Sequence, residues 1–411
     1  MSAKIVFFGT KTFAEWSLDY AKTYNIEIDC FISNKSTKWG QMFGEGYEIK
    51  SPEYLRNQLD VVVIIATQGF SSIKKVASQL VNYGFVQGTN FFTSIENFID
   101  KLTREYVNKT FAVSKPISQG TSKDRKYYVE NSDGDKFFIQ FADAYEYNRI
   151  KHQYIIVKEC AFAGVPVANA VYFGMFNFLS CQGGGTYLIT NWIEGGKNLY
   201  YNALDLSKDE MYQMGKEAAK LVKTLHRIDI PFPNAYLKRD YKAIIDENVE
   251  LSNKYKAFYD TNLIKAEKIF INYVKENEHL VPPSEEHLIH GDFSLHNIML
   301  DSRGNLTLID FDEIRIGSIW DELGCSIRIG FLKSKIGVQH FHRGVLDQML
   351  GDHISKEMWS LISFYLCVRE IEMISKSILS SPNSLLARSR MCGLTLKMFN
   401  NMGNPIPSWY S

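Results

Sequence analysis

The chain has 411 residues, 45% of them apolar and 14% aromatic, enough to bury a sizeable core in two or three domains. Lys+Arg and Asp+Glu are both 46, so the formal net charge is zero. This composition excludes a disordered chain, and the charge balance argues against a nucleic-acid protein that works by bulk electrostatics.

Residues 4–8, KIVFF, form a β-rich run that ends at Gly9. A helix is expected over 12–24, a second strand over 26–32 and a third over 60–66, DVVVIIA. The last is nearly all apolar, as a parallel strand covered on both faces must be. A helix over 71–83, a short strand over 90–93 and a connecting helix over 95–108 follow. Strands alternating with helices predict a doubly wound α/β domain over residues 1–105. The longest apolar stretches, such as 61–66 and 361–368, are too short to span a bilayer. The start, MSAKIVFFGT, reads as a first strand and not as a signal peptide. Six cysteines, at 30, 160, 181, 325, 367 and 392, show no C-x-x-C spacing, so a structural zinc site is not expected and reduced thiols in a cytoplasmic protein are.

The texture then changes. Residues 126–130 and 136–141 read as strands joined by the turn-rich NSDGD, an antiparallel hairpin. A helix over about 144–163 and strands over 171–174 and 187–192 follow, and from 207 the chain is mostly helical. A strand-rich part followed by a helix-rich part predicts a two-lobed α+β unit. His340 and His342 in QHFHR alternate like strand or loop residues and read as surface histidines.

The helical part is broken by HLIHGDFSLHNIMLDSRGNLTLIDFDEI, residues 287–314. A core gains nothing from clustered negative charge, so Asp292, Asn297 and Asp310 need something positive between them. A loop carrying Asp292 and Asn297, then a hairpin ending in Asp310, brings them to one point. Hard oxygens from Asn and Asp suit Mg2+ that also binds phosphates. A separate carboxylate accepts a proton from an attacking hydroxyl. These are the parts of phosphoryl transfer.

The ordered set H-G-D-x-x-x-x-N, I-D-F-D and Asp321 in WDELG resembles the aminoglycoside phosphotransferase and choline kinase family of small-molecule kinases, which have a protein-kinase-like fold. GVPVANAVYFG resembles the link into that family's hinge, YLITNWIEGGKNL the hinge, and MGKEAAKLVKTLHRID the helix ending in Leu-His, so the likeness covers roughly residues 110–400. It implies a kinase-like N-lobe and hinge over 106–195 and a helical C-lobe over 196–411. It implies ATP as co-substrate, Asp292 as catalytic base, and Asn297 and Asp310 as Mg2+ ligands, with Asp312 assisting at the metal. Asp321 and His290 would brace the catalytic loop. Asn191 and Ile193 of the hinge, with Ser118, Gly120, Thr121 and Ser122 of the loop SQGTS, would hold the nucleotide.

Two positions depart from the family pattern. A Lys or Arg on the third strand usually holds the ATP phosphates and pairs with a Glu on the next helix. Here Gln140 and Gln153 stand at those places. Losing both partners of a buried pair is electrically consistent, since neither is left uncompensated. The phosphates then need another cation, from Lys123, Arg125, Lys126 or Lys136.

The first domain resembles Rossmann-like domains attached to sugar-modifying enzymes. FFGTKTFAE, residues 7–15, follows a strand and opens a helix as a dinucleotide fingerprint does, but Lys11 replaces the middle glycine and its Cβ would crowd a pyrophosphate. The sequence therefore predicts an ATP-dependent phosphotransferase acting on a hydroxyl of a small metabolite, an amino alcohol such as choline or ethanolamine or a sugar. By analogy with the attached domain, this falls within cell-surface glycan or lipid-head-group metabolism. Two alternatives stay open: a non-catalytic nucleotide-binding protein, and a Rossmann oxidoreductase with an accessory domain.

Overall fold

The computed structural model describes residues 3–44, 46–58, 60–118, 123–179, 181–202, 206–229, 240–255, 257, 259–282, 286–330, 338–380 and 382–410. The chain forms two compact units. One comprises Met1–Ile155 with Asn169–Trp192, the other Ile156–Ala168 with Ile193–Ser411.

In the first unit, β1 (Lys4–Phe8), α1 (Thr12–Thr23), β2 (Ile28–Ile32), β3 (Met42–Phe43), β4 (Tyr47–Lys50), β5 (Val61–Ile65), α2 (Phe70–Asn82), β6 (Phe91–Phe92) and α3 (Ile95–Thr110) build an α/β layer structure. The sheet order is β3-β4-β2-β1-β5-β6, and every pairing except β3 with β4 is parallel. β1 and β5 are almost wholly buried, which explains their unbroken apolar runs. One apolar cluster covers one face with Leu18 of α1 and Phe98 and Leu102 of α3, and a second covers the other with Val76 and Leu80 of α2. The alternation read from the sequence is thus present, with two short strands it did not anticipate, β3 and β4. β4 is only four residues long and mostly half-exposed, so it carries little periodic signal.

The same unit holds a second sheet. Its strands are β7 (Val113–Ile117), β8 (Arg125–Glu130), β9 (Lys136–Asp143), β10 (Ala170–Asn177) and β11 (Gly184–Asn191). The order is β10-β11-β9-β8-β7, all antiparallel. β7 also lacked a sequence signal. It contains Pro116, and a proline is tolerated because the strand lies at the sheet edge. One face of this sheet presents Tyr127, Val129, Ile139 and Phe141, which belong to the same apolar cluster as Phe7, Phe31 and Phe98. The two sheets therefore share a core.

Polar contacts pin the junction. Gly184 N–H donates to the Tyr24 carbonyl at 2.6 Å, and Arg125 Nη1 donates to the Tyr24 hydroxyl at 2.6 Å. A Cβ on Gly183 would lie 2.8 Å from the Tyr24 carbonyl oxygen, so the backbone approaches too closely for any other residue.

Helix α4 (Tyr147–Phe162) begins in the first unit and ends in the second. The second unit continues with β12 (Lys197–Asn198), α5 (Leu199–Asn202), α6 (Lys208–Leu225), α7 (Tyr241–Tyr255), α8 (Thr261–Asn277), β13 (His287–Ile289), β14 (Ile298–Leu300), β15 (Leu306–Leu308), β16 (Arg315–Gly317), α9 (Ile319–Gly330), α10 (Val338–Leu350), α11 (Lys356–Ser380) and α12 (Pro382–Met398). α6 starts at a capping box in which Ser207 and Glu210 satisfy each other's backbone N–H groups. α6 and α10 pack backbone to backbone. A Cβ on Gly215 would meet the Phe341 carbonyl oxygen at 2.0 Å, and one on Gly344 the Tyr212 carbonyl oxygen at 2.1 Å. The sequence reading of QHFHR as surface strand or loop is corrected here. These residues lie in α10, and His342 is fully buried. The next-but-one spacing of two histidines mimicked a strand, while the helical period of Val338, Phe341 and Val345 set the structure. All six cysteines are buried and none forms a disulfide. Among the described residues no helix is long and apolar enough to cross a membrane.

Candidate active site

Residues 287–317 fold into two short antiparallel pairs, β14 with β15 and β13 with β16, and the loops between them carry the polar groups. In the first pair, Ile298 lies opposite Leu308. Just beyond it, Ile309 N–H donates to the Asn297 carbonyl at 3.0 Å. The chain segments that bear Asn297 and Asp310 are thus neighbours. Asn297 Nδ2 donates to the Asp292 carbonyl at 2.8 Å and to Asp292 Oδ2 at 2.9 Å. Asp292, Asn297 and Asp310 are therefore brought to one end of this hairpin. Asp310 has a backbone φ of +66°, a left-handed conformation that Asp adopts more readily than most residues.

The loop is held from beneath by α9. Glu322 is fully buried, and its carboxylate accepts His290 N–H at 2.7 Å and Gly291 N–H at 3.1 Å. His226 Nε2 lies 3.4 Å from the same group. Burial opposes the ionisation of Glu322, but His226, His290 and the backbone donor outweigh it and hold the carboxyl below its usual range. The neighbouring Asp321 faces a different partner. It accepts Arg315 Nε at 3.1 Å and Arg315 Nη2 at 2.9 Å, and Arg315 Nη1 donates to the Gly291 carbonyl at 3.2 Å. Successive helical residues thus fasten the loop by two routes. Sequence reasoning found Asp321 and His290 as braces and missed Glu322. Its one signal is the adjacent acid in WDELG, which cannot share a helix face with Asp321.

Asp292 is half-buried. Burial raises its carboxyl pKa, Arg369 and His290 lower it, Glu313 raises it and Asn297 lowers it, leaving it above the ordinary value. Arg369 is buried on α11 and donates to Glu313 at 3.3 Å and Glu372 at 2.8 Å. Lys376 also reaches Glu313, at 2.8 Å. Despite burial, Arg369 and Lys376 hold the Glu313 carboxyl far below its usual range.

In the first unit, Gln140 is buried on β9 and Ser118 is exposed just after β7. Gly120, Thr121 and Ser122 lie outside the described residues. Asn191 ends β11, and its N–H donates to the Asn169 carbonyl at 2.9 Å. The division between the units falls after Trp192, so Asn191 and Ile193 lie on opposite sides of it.

Comparison with known proteins gives this geometry a lineage. Residues 113–338, more than half of the chain, match the model of the APH phosphotransferase enzyme family. The chain belongs to that family. It is a small-molecule phosphotransferase. Solved structures resemble this phosphotransferase in fold at low identity. Aminoglycoside 2'-phosphotransferase-IIIa in its GDP complex has a TM-score of 0.54 at 14% identity, over 74% of this chain and 98% of its own. Aminoglycoside phosphotransferase APH(4)-Ia gives 0.53 at 14%, over 72% and 98%. The amicoumacin kinase hAmiN in complex with AMP-PNP, Ca2+ and Ami gives 0.51 at 11%, over 72% and 91%. The protein-kinase-like fold expected from the sequence is thereby established. Among curated protein sequences, none matches this phosphotransferase.

Proposed function

We propose that this phosphotransferase moves the γ-phosphoryl group of ATP to a hydroxyl of a small metabolite in the cytoplasm, with Asp292 as base. The observation that carries the reading is the coupling of Asp292 to Asn297 through the 2.9 Å bond, beside the Asp310 segment. The acceptor oxygen forms the new bond to phosphorus, the bond from the γ-phosphorus to the bridging oxygen breaks, and the acceptor proton passes to the Asp292 carboxylate. A carboxyl raised above its ordinary value is a stronger base for that step.

Asn297 and Asp310 supply two hard oxygens just beyond the ends of adjacent strands, a donor set that fits Mg2+, which takes its other ligands from phosphates and water. Mg2+ there would neutralise charge on the transferring phosphates. That a similar fold in hAmiN carries AMP-PNP and Ca2+ supports the nucleotide and divalent-ion reading.

In this reading residues 106–195 act as the nucleotide lobe with its hinge at Asn191 and Ile193, residues 196–411 as the lobe of the base and metal, and residues 1–105 as a Rossmann-like domain. Its parallel order β4-β2-β1-β5-β6 supports that name. Its fingerprint is put to other use. A Cβ at Gly9 would lie 2.0 Å from the Ala66 carbonyl oxygen, and Lys38 Nζ donates to the Thr10 carbonyl at 2.8 Å. The first feature is the tight turn such a fingerprint needs; Lys11, in place of the middle glycine, is what crowds a pyrophosphate there, so in this reading the domain acts without NAD(P).

The acceptor is an amino alcohol such as choline or ethanolamine, or a sugar. The test is transfer from ATP or GTP with Mg2+ to a panel of choline, ethanolamine, hexoses and aminoglycosides. Asp292→Asn should lower single-turnover transfer by about a hundred- to ten-thousand-fold. Nucleotide affinity should barely move. Equal losses in both would assign Asp292 to organising the site, and an unchanged transfer rate would remove it from the chemistry.

A further inference from the structure

Strands β8 and β9 pair with Lys126 opposite Gln140 and Arg125 opposite Phe141. Side chains alternate across a strand, so Lys126 and Gln140 share one face and Arg125 points to the other. Arg125 is committed there to the hydroxyls of Tyr24, at 2.6 Å, and Tyr20, at 3.4 Å, on the side of the shared core. It is thereby removed from the cations available to nucleotide phosphates.

On the Gln140 face a different cation is built in. Gln140 Nε2 donates to Asp124 Oδ2. The same carboxylate accepts Arg149 Nη2, at 2.9 Å to Oδ2 and 3.2 Å to Oδ1. Arg149 Nε donates to Glu146 at 2.7 Å. Arg149 stands in the first turn of α4 and keeps 27% of its side chain exposed. The usual polarity is inverted: the acid comes from the strand side and the base from the helix.

We propose that Arg149, delivered from helix α4 and oriented through Asp124 by Gln140, supplies the charge that binds the nucleotide phosphates in the first unit. This rests on the phosphotransferase reading above. A guanidinium fork matches phosphate oxygens in two-point geometry, and one already held by two carboxylates loses little freedom on binding. Arg149 and Lys126 balance Asp124 and Glu146, so this face is formally neutral until a ligand arrives. Gln140 is a positioning residue, since it acts through Asp124.

The test uses the full chain and measures affinity for ATP, ADP, AMP and adenosine with Mg2+ by calorimetry, repeated with the guanine series. Arg149→Met keeps the stem and removes the charge. It should weaken ADP by about ten- to a hundredfold. Adenosine affinity should stay within about threefold, because the lost contact is to phosphate alone. Gln140→Lys added to Arg149→Met should restore part of the ADP affinity by returning a cation to the strand. Unchanged ADP affinity in Arg149→Met, or an equal loss for adenosine and ADP, would overturn the inference. So would a phosphate-specific loss found in Lys126→Met and absent from Arg149→Met. Wild-type protein that binds no nucleotide of either series would overturn the kinase reading beneath it, an outcome visible before any variant is made.

Discussion

Glu322→Ala isolates the support of the catalytic loop from its chemistry. The carboxylate is fully buried and satisfies the N–H groups of His290 and Gly291 at 2.7 and 3.1 Å. Truncation leaves both donors without their acceptor. A buried donor left unsatisfied costs about 1–3 kcal/mol, so two cost about 2–6 kcal/mol. The substitution also removes the cost of burying the charge itself, which places the net loss in the lower half, about 2–4 kcal/mol. In a unit of roughly two hundred residues that lowers the unfolding midpoint by about 4–16 °C. Glu322→Gln keeps one acceptor oxygen and turns an amide donor toward the other N–H, so it should lose about 1–3 kcal/mol. Amide exchange over α9 and α11 reads unfolding of the second unit, and exchange at positions 290 and 291 reads the loop. An alanine variant within about 0.5 kcal/mol of the wild type, with both amides still protected, would refute the assignment of Glu322 as the latch.

Asp310→Asn keeps a residue that tolerates a φ of +66°, so the fold should survive while Mg2+-dependent turnover falls by at least about a hundredfold. Circular dichroism and an ATP-consumption assay check the two halves, and full activity would remove Asp310 from the mechanism. Burial pushes the His342 imidazole down to about 3, so the unfolded chain takes up a proton below about pH 6.5 that the folded chain refuses. Stability is therefore lost as pH falls from 6.5 towards 3, and between pH 6.5 and 5 the wild type should lose about 2 kcal/mol more than His342→Phe in urea titrations. Equal pH slopes would show that His342 is protonated in place. Full-length protein should show no sub-micromolar NAD(P) binding by calorimetry, and such binding would mean that the turn around Lys11 was misread.

What the sequence made legible follows from where its constraints are local. The loop from His290 to Asn297 and the hairpin after it are contiguous, so spacing alone brought Asp292, Asn297 and Asp310 together. The buried runs of β1 and β5 identified a parallel sheet for the same reason. Tertiary pairings were less visible. Arg149 meets Asp124 across 25 residues and a turn, and neither carries a motif. β4 and β7 are short or edge-placed, with weak alternation. One signal was available and not used. Phe137, Ile139 and Phe141 make one face of β9 apolar, which marks a sheet face covered by other structure.

That coverage changes what the first hundred residues are. A detachable domain would leave the outer face of the second sheet polar. Here Tyr127, Val129, Ile139 and Phe141 are each no more than 2% exposed, inside a cluster that includes Phe7, Phe31 and Phe98. Burying a side chain of this kind contributes about 1.5–3 kcal/mol, so these four alone represent about 6–12 kcal/mol tied to the presence of the N-terminal sheet. That gross contribution is as large as the net stability of a typical domain, about 5–15 kcal/mol. The parallel sheet is thus a permanent wall of the second sheet. β8 carries Arg125 into that wall through Tyr24, while Asp124, the residue before it, holds Arg149 on the opposite side. Tyr20 and Tyr24 on one side and Arg149 on the other thus bind two adjacent residues, Arg125 and Asp124.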